Sequence, residues 1–267
     1  MRALAAGLLV VVATLVGCGT SGSSSNTGQL SGNWQMTLTP VRSRNNILQS
    51  GFLLQQKNAL AGSMVATDGC AGATPVTGTL SGSAVNLSVN EFGAALNMTG
   101  TVSSDNQTMT GSYIIPEGSC RAVATGSWVA SLVQPVKGSF HGTITSATPP
   151  LAGTTYDVSG TLTQGLNTGS SNTDLSGVFT AFNYPCFSTV NVRGTISGQN
   201  VLLSFYDVAT GNKVGTVPGQ LQSFATLSVD ATSLSDTSST GYAVNSCPGL
   251  GSLATAGDSG QIALTFP

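Results

Sequence analysis

The chain has 267 residues, only 7% of them charged, and a formal net charge of −2. Charged residues usually make up about a quarter of a globular sequence, so Ser, Thr, Asn, Gln and Gly must cover most of this surface. No basic run occurs anywhere, which excludes nucleic-acid binding through phosphate neutralisation.

The chain opens with Met1-Arg2 and then "ALAAGLLVVVATLV". One positive charge before a short apolar run has the form of a secretory signal peptide. The run is shorter than the roughly 20 residues a membrane span needs. It ends in Leu15-Val16-Gly17-Cys18: a branched apolar residue, a tolerant position, a small residue and a cysteine. This segment resembles the lipobox of bacterial lipoproteins. The resemblance implies that residues 1–17 are a signal peptide cut off before Cys18. It also implies that Cys18 carries diacylglycerol on its sulfur and a further acyl chain on its new amino group. At about 0.8 kcal/mol per buried methylene, two or three chains anchor stably where one does not. The expected location is therefore the bacterial cell envelope, with the membrane as a partner through the lipid. Gly19 stands where an Asp would favour inner-membrane retention, which points to the outer membrane. Residues 19–28 are only Gly, Ser, Thr and Asn. They cannot bury enough apolar surface to fold, so residues 18–29 read as a lipidated cysteine and a flexible tether.

After this point the 34 glycines come with abundant Thr, Ser and Val, and no stretch repeats its apolar residues at the helical period. Little helix and many short strands are expected. Residues 30–133 read as a first β domain. Trp34, Met36 and Leu38 alternate with Asn33, Gln35, Thr37 and Thr39. Val85, Leu87 and Val89 alternate with Asn86, Ser88 and Asn90. Met109, Gly111, Tyr113 and Ile115 share one face, and so do Trp128, Ala130 and Leu132. One wet face on each strand is the mark of antiparallel pairing. Turn signals recur at Ser81-Gly82, Ser104-Asp105-Asn106, Gln199-Asn200 and Thr210-Gly211-Asn212. Such strands suit an up-and-down barrel, which removes exposed edges, or a two-sheet sandwich; the alternation is the same in both. Gly32-Asn33-Trp34 resembles the G-x-W motif of lipocalins and related calycin barrels. That resemblance implies that Trp34 closes one barrel end with an arginine from the last strand packed across it. Arg121, at the start of the last long strand of this half, stands in that place. The plainer reading of Trp34 is a core aromatic.

Pro135, after the strand-like "SWVASLV", marks a boundary, because proline cannot donate to a ladder. Residues 136–267 form the second β domain, with too short a linker to keep the two apart. The halves look duplicated. "GTLSGSAVNLS" at 78–88 and "GTISGQNVLLS" at 194–204 are identical at seven of eleven positions, at an offset of 116. Cys70 and Cys186 share that offset. Trp34 stands opposite Phe140 in the two domain openings. Cys70, Cys120, Cys186 and Cys247 are an even set in an exported chain and read as disulfides. Spacing allows three pairings. Two copies of one fold select Cys70–Cys120 and Cys186–Cys247.

No catalytic, cofactor or metal set is expected. The one histidine, His141, should point outward, opposite to Phe140. "GDSG" at 257–260 resembles the nucleophile segment of chymotrypsin-like serine proteases. It lacks the Gly-Pro that follows there, and the chain ends eight residues after Ser259. Asp258-Ser259-Gly260 is read instead as the last hairpin turn. The ten acidic residues are scattered without a calcium-loop pattern. The expectation is a non-enzymatic envelope protein whose partner is a small apolar ligand or another envelope component. A structural or adhesive surface lipoprotein and an unrecognised hydrolase are the alternatives.

Overall fold

The computed structural model describes residues 30–43, 45–66, 70, 72–166, 170–209, 211, 225–227, 233–236 and 241–266. Cys18, the apolar leader and the tether lie outside the described residues, as do Thr210 and Asn212. The first eight strands are β1 (Gly32–Pro40), β2 (Ile47–Gln56), β3 (Ala59–Ala66), β4 (Ala73–Ser81), β5 (Ala84–Glu91), β6 (Ala94–Val102), β7 (Thr108–Ile115) and β8 (Ala124–Val133). Each pairs antiparallel with the next, and β8 returns to β1 from Asn33↔Val133 to Pro40↔Gly126. This last ladder makes a closed barrel and rules out the sandwich. Leu38 lies opposite Trp128, and Met36 opposite Ala130.

The period-two pattern sets what goes inside. Trp34, Met36, Leu38, Leu53, Met64, Val85, Leu87, Val89, Leu96, Met98, Met109, Tyr113, Trp128 and Ala130 fill the interior as one buried cluster. The first barrel is therefore solid through most of its length. Trp34 is buried near the start of β1, and its indole N–H donates to Leu30 O at 2.9 Å. Arg121 does not pack across it. β8 begins at Ala124 rather than at Arg121, and Trp34 lies opposite Leu132 at the far end of that strand. Trp34 is the core aromatic, and Arg121 belongs to the opposite end of the barrel.

The second half repeats the plan with β9 (Lys137–Ser146), β10 (Thr155–Gln164), β11 (Thr173–Ala181), β12 (Thr189–Ser197), β13 (Asn200–Asp207), β14 (Ala225–Leu227), β15 (Ser233–Asp236), β16 (Tyr242–Val244) and β17 (Asp258–Thr265). A short 3-10 helix, Pro248–Leu253, lies between β16 and β17. β17 pairs with β9 on one edge, as β8 does with β1. Its other edge takes β16 along Asp258–Gly260 and β15 along Ile262–Thr265. The ladder therefore curls back on itself through short strands. Its interior is aromatic: Phe179 lies 5.3 Å from Phe140 and 5.4 Å from Phe205, ring centre to ring centre. Asp258-Ser259-Gly260 is not a hairpin turn. It opens β17 and pairs with β16.

The repeated "GT[LI]SG" ends β4 in one copy and β12 in the other. The last glycine of each opens a two-residue turn with positive φ, +59° at Gly82 and +55° at Gly198. The structure bonds Cys70 to Cys120 and Cys186 to Cys247, the pairing that duplication implies. The two copies touch. The outward face of β1 and β2 receives the β12–β13 turn. Asn33 Nδ2 donates to Gly198 O at 2.7 Å, and Gly198 N–H donates back to Asn33 Oδ1. Gln199 N–H donates to Gln35 Oε1 at 3.1 Å. Phe52, on the same outer face, is buried in the second core together with Val133 and Val136.

Candidate functional site: a cleft at the mouth of the first barrel

Described residues of four connections meet at one end of the first barrel: 41–43 with 45–46, Cys70 with Gly72, 92–93 and 116–123. Between the first and the last of them lies a cleft of about 750 Å³. Val41, Arg42, Asn45 and Asn46 form one wall, and Ala122 and Val123 the other. Ile115, Arg121 and the Cys70–Cys120 disulfide also line it. The disulfide ties two of the four connections together across the mouth.

Beneath the cleft the barrel interior changes from apolar to charged. β5 carries its alternation one step further, from Val85, Leu87 and Val89 to Glu91, which is fully buried. A lone buried carboxylate is costly. Here Arg121 Nε donates to Glu91 Oε2 at 2.9 Å, with the two side chains only 5% and 1% exposed. Gln49 Nε2, from the inner face of β2, donates to Glu91 Oε1 at 2.7 Å. Tyr113 sits one interior step below Ile115 on β7. Burial raises its phenol above the ordinary range, and the Arg121 charge pulls it partly back. The Tyr113 hydroxyl and Gln49 Oε1 are buried without a hydrogen-bond partner among the described residues.

Both sulfurs of Cys70 and Cys120 lie within 4.8 Å of the Glu91 carboxylate. A metal would need thiolates, and these sulfurs are bonded to each other. The group as it stands is a disulfide packed on an ion pair.

The rim is apolar. Val41 is 75% exposed, and Phe92 and Val123 are each 66% exposed. Phe92 also has φ +46°, in the left-handed region that bulky residues rarely enter and that often marks functional positions.

The second half holds a different polar cluster. Asp258 is buried and accepts hydrogen bonds from Tyr184 Oη at 2.8 Å, Tyr242 Oη at 2.6 Å and Ser146 Oγ. Ser259 Oγ meets Thr148 Oγ1 at 3.0 Å. His141 is exposed on β9 and points away from buried Phe140, as the alternation requires. It lies opposite Thr265, six residues along β17 from Ser259, which is about 20 Å at strand rise. His141, Ser259 and Asp258 therefore form no triad.

Sequence reasoning singled out Arg121 for the wrong partner, and missed Glu91, Gln49 and Arg42. Glu91 had a signal: it continues an interior apolar alternation. No protein-family model matches the chain, and no curated protein or solved structure matches it.

Proposed function

We propose that this is a lipid-anchored envelope protein of non-enzymatic type, which binds a small, largely apolar ligand at the mouth of its first barrel. One observation carries the binding half of this reading: the cleft of about 750 Å³ beside Ala122, Val123 and Ile115. Small-molecule sites run from roughly 300 to 1,000 Å³ and are mostly apolar with a few placed polar groups. The packed core below moves the expected site from the barrel interior to its mouth. The anchoring half rests on the lipobox at Leu15–Cys18 and the small-residue tether. β1 runs from Gly32 near the tether to Pro40 at the cleft, so the mouth lies at the barrel end away from the anchor.

The exposed Val41, Phe92 and Val123 favour a second reading, in which the rim docks on another envelope component. Native mass spectrometry separates the two. The full chain carrying Cys18→Ser, exported with its own leader, should retain an added small mass that leaves on denaturation. Ala122→Trp should fill the cleft and abolish it. A bare mass under gentle conditions, unchanged by added amphiphiles, would refute ligand binding.

A further inference from the structure

We propose that the cleft's occupant carries an anionic head group, read by Arg42, at one end of its apolar body. This rests on the ligand-binding reading above and adds the chemical class.

The described residues lining the cleft include Arg42 and Arg121 and no Asp or Glu. The Arg121 charge is met by Glu91 at 2.9 Å, inside the barrel. That pair is neutral as a unit. Arg42 is exposed on the opposite wall and has no ion pair among the described residues. Among the described residues lining the cleft, Arg42 is therefore the one charge not met by an opposite one. Asn45 and Asn46 add amide groups to the same wall. A guanidinium offers a planar fork of donors that matches a carboxylate or a phosphate, and such charge-assisted bonds are about twice as strong as neutral ones. Ile47, Ile115, Ala122, Val123 and Ala124 line the cleft as well. They suit an alkyl or ring body. An amphiphile with an anionic head answers both halves. A cationic amphiphile would bring its charge against Arg42.

The test holds the tail constant and changes the head. Dodecanoate, dodecyl phosphate, dodecanol and dodecyltrimethylammonium are titrated below their micelle concentrations into the full chain carrying Cys18→Ser, by calorimetry. The two anions should bind about 10-fold or more tightly than the alcohol, and the ammonium compound most weakly. The ranking of the two anions tells a carboxylate reader from a phosphate reader. Arg42→Gln should bring both anions to the alcohol's affinity and leave the alcohol unchanged. Equal affinity for anion and alcohol, or an anion preference that survives Arg42→Gln, would overturn the head-group assignment and leave the apolar cleft standing. Failure of every probe to bind, or binding that Ala122→Trp does not reduce, would overturn the ligand-binding reading and this inference with it.

Discussion

Replacing Gly198 with alanine should destabilise the protein far more than replacing Gly82, although the two glycines hold the same turn in the two copies. Both have left-handed φ, +55° and +59°. A Cβ in that region costs roughly 1–2 kcal/mol, offset by about 0.4–1 kcal/mol through the stiffer unfolded chain. The backbone part is therefore about 1 kcal/mol at either site. The surroundings differ. Nothing lies within 4 Å of a Cβ built on Gly82. At Gly198 the same atom would overlap Gln35 Oε1 and Ser50 Cβ. The turn would have to lift from β1 and β2. Asn33, only 2% exposed, would lose both its bonds to Gly198. A buried polar group left without a partner costs about 1–3 kcal/mol. Gly198→Ala should then cost about 2–4 kcal/mol in all, against about 1 kcal/mol for Gly82→Ala. Urea unfolding followed by tryptophan fluorescence is the assay, because Trp34 and Trp128 both lie in the first barrel. A substitution in the second half should lower a signal that comes wholly from the first. Equal losses at the two glycines, or a fluorescence transition indifferent to Gly198→Ala, would refute the docked-turn account.

Arg121→Met should cost about 3–5 kcal/mol by leaving Glu91 buried and uncompensated; adding Glu91→Met should recover most of that loss in the same urea titration. Mild thiol should open Cys70–Cys120 first, because Cys120 is exposed while Cys186 and Cys247 are both buried; alkylation and peptide mapping over time would read the order. With a sequence separation of 50 between Cys70 and Cys120, removing that bridge should lower stability by about 4 kcal/mol on the chain-entropy account. Burial above all raises Tyr184 and Tyr242 above the ordinary tyrosine range; the Tyr242 phenol and then Asp258 push Tyr184 further up, while Asp258 raises Tyr242 and the hydrogen bonds with Tyr184 and Ser146 pull it partly back. The fold keeps protons that the unfolded chain releases, so stability holds below about pH 10 and then falls by roughly 1.4 kcal/mol per pH unit per tyrosine. Tyr242→Phe should flatten that fall in urea midpoints taken from pH 9 to 11.

Much of the architecture is legible in the residues. Strict alternation in 33–39, 84–90 and 107–115 assigns the buried faces, because a strand's side chains point to opposite sides in turn. The repeated GT[LI]SG marks one hairpin in each copy, because its glycine adopts the φ that such a turn requires. The shared offset of Cys70 and Cys186 selects the disulfides, because duplicated loops place their cysteines alike. Barrel closure depends instead on β1 meeting β8 about a hundred residues later, and a sandwich has the same alternation. The candidate site is less legible still. Arg42, Glu91, Gln49 and Arg121 come from three separate loops or strand ends and the inner face of β2, and only the closed ring brings those to one mouth. Asp258 reads as a turn residue because its partners, Ser146, Tyr184 and Tyr242, are supplied from distant segments. Local pattern fixes which side of a strand is buried, since that is set by the pleat. Which charges are buried together is set by the tertiary pairing, since a buried carboxylate is tolerated only where the fold carries its donors to it.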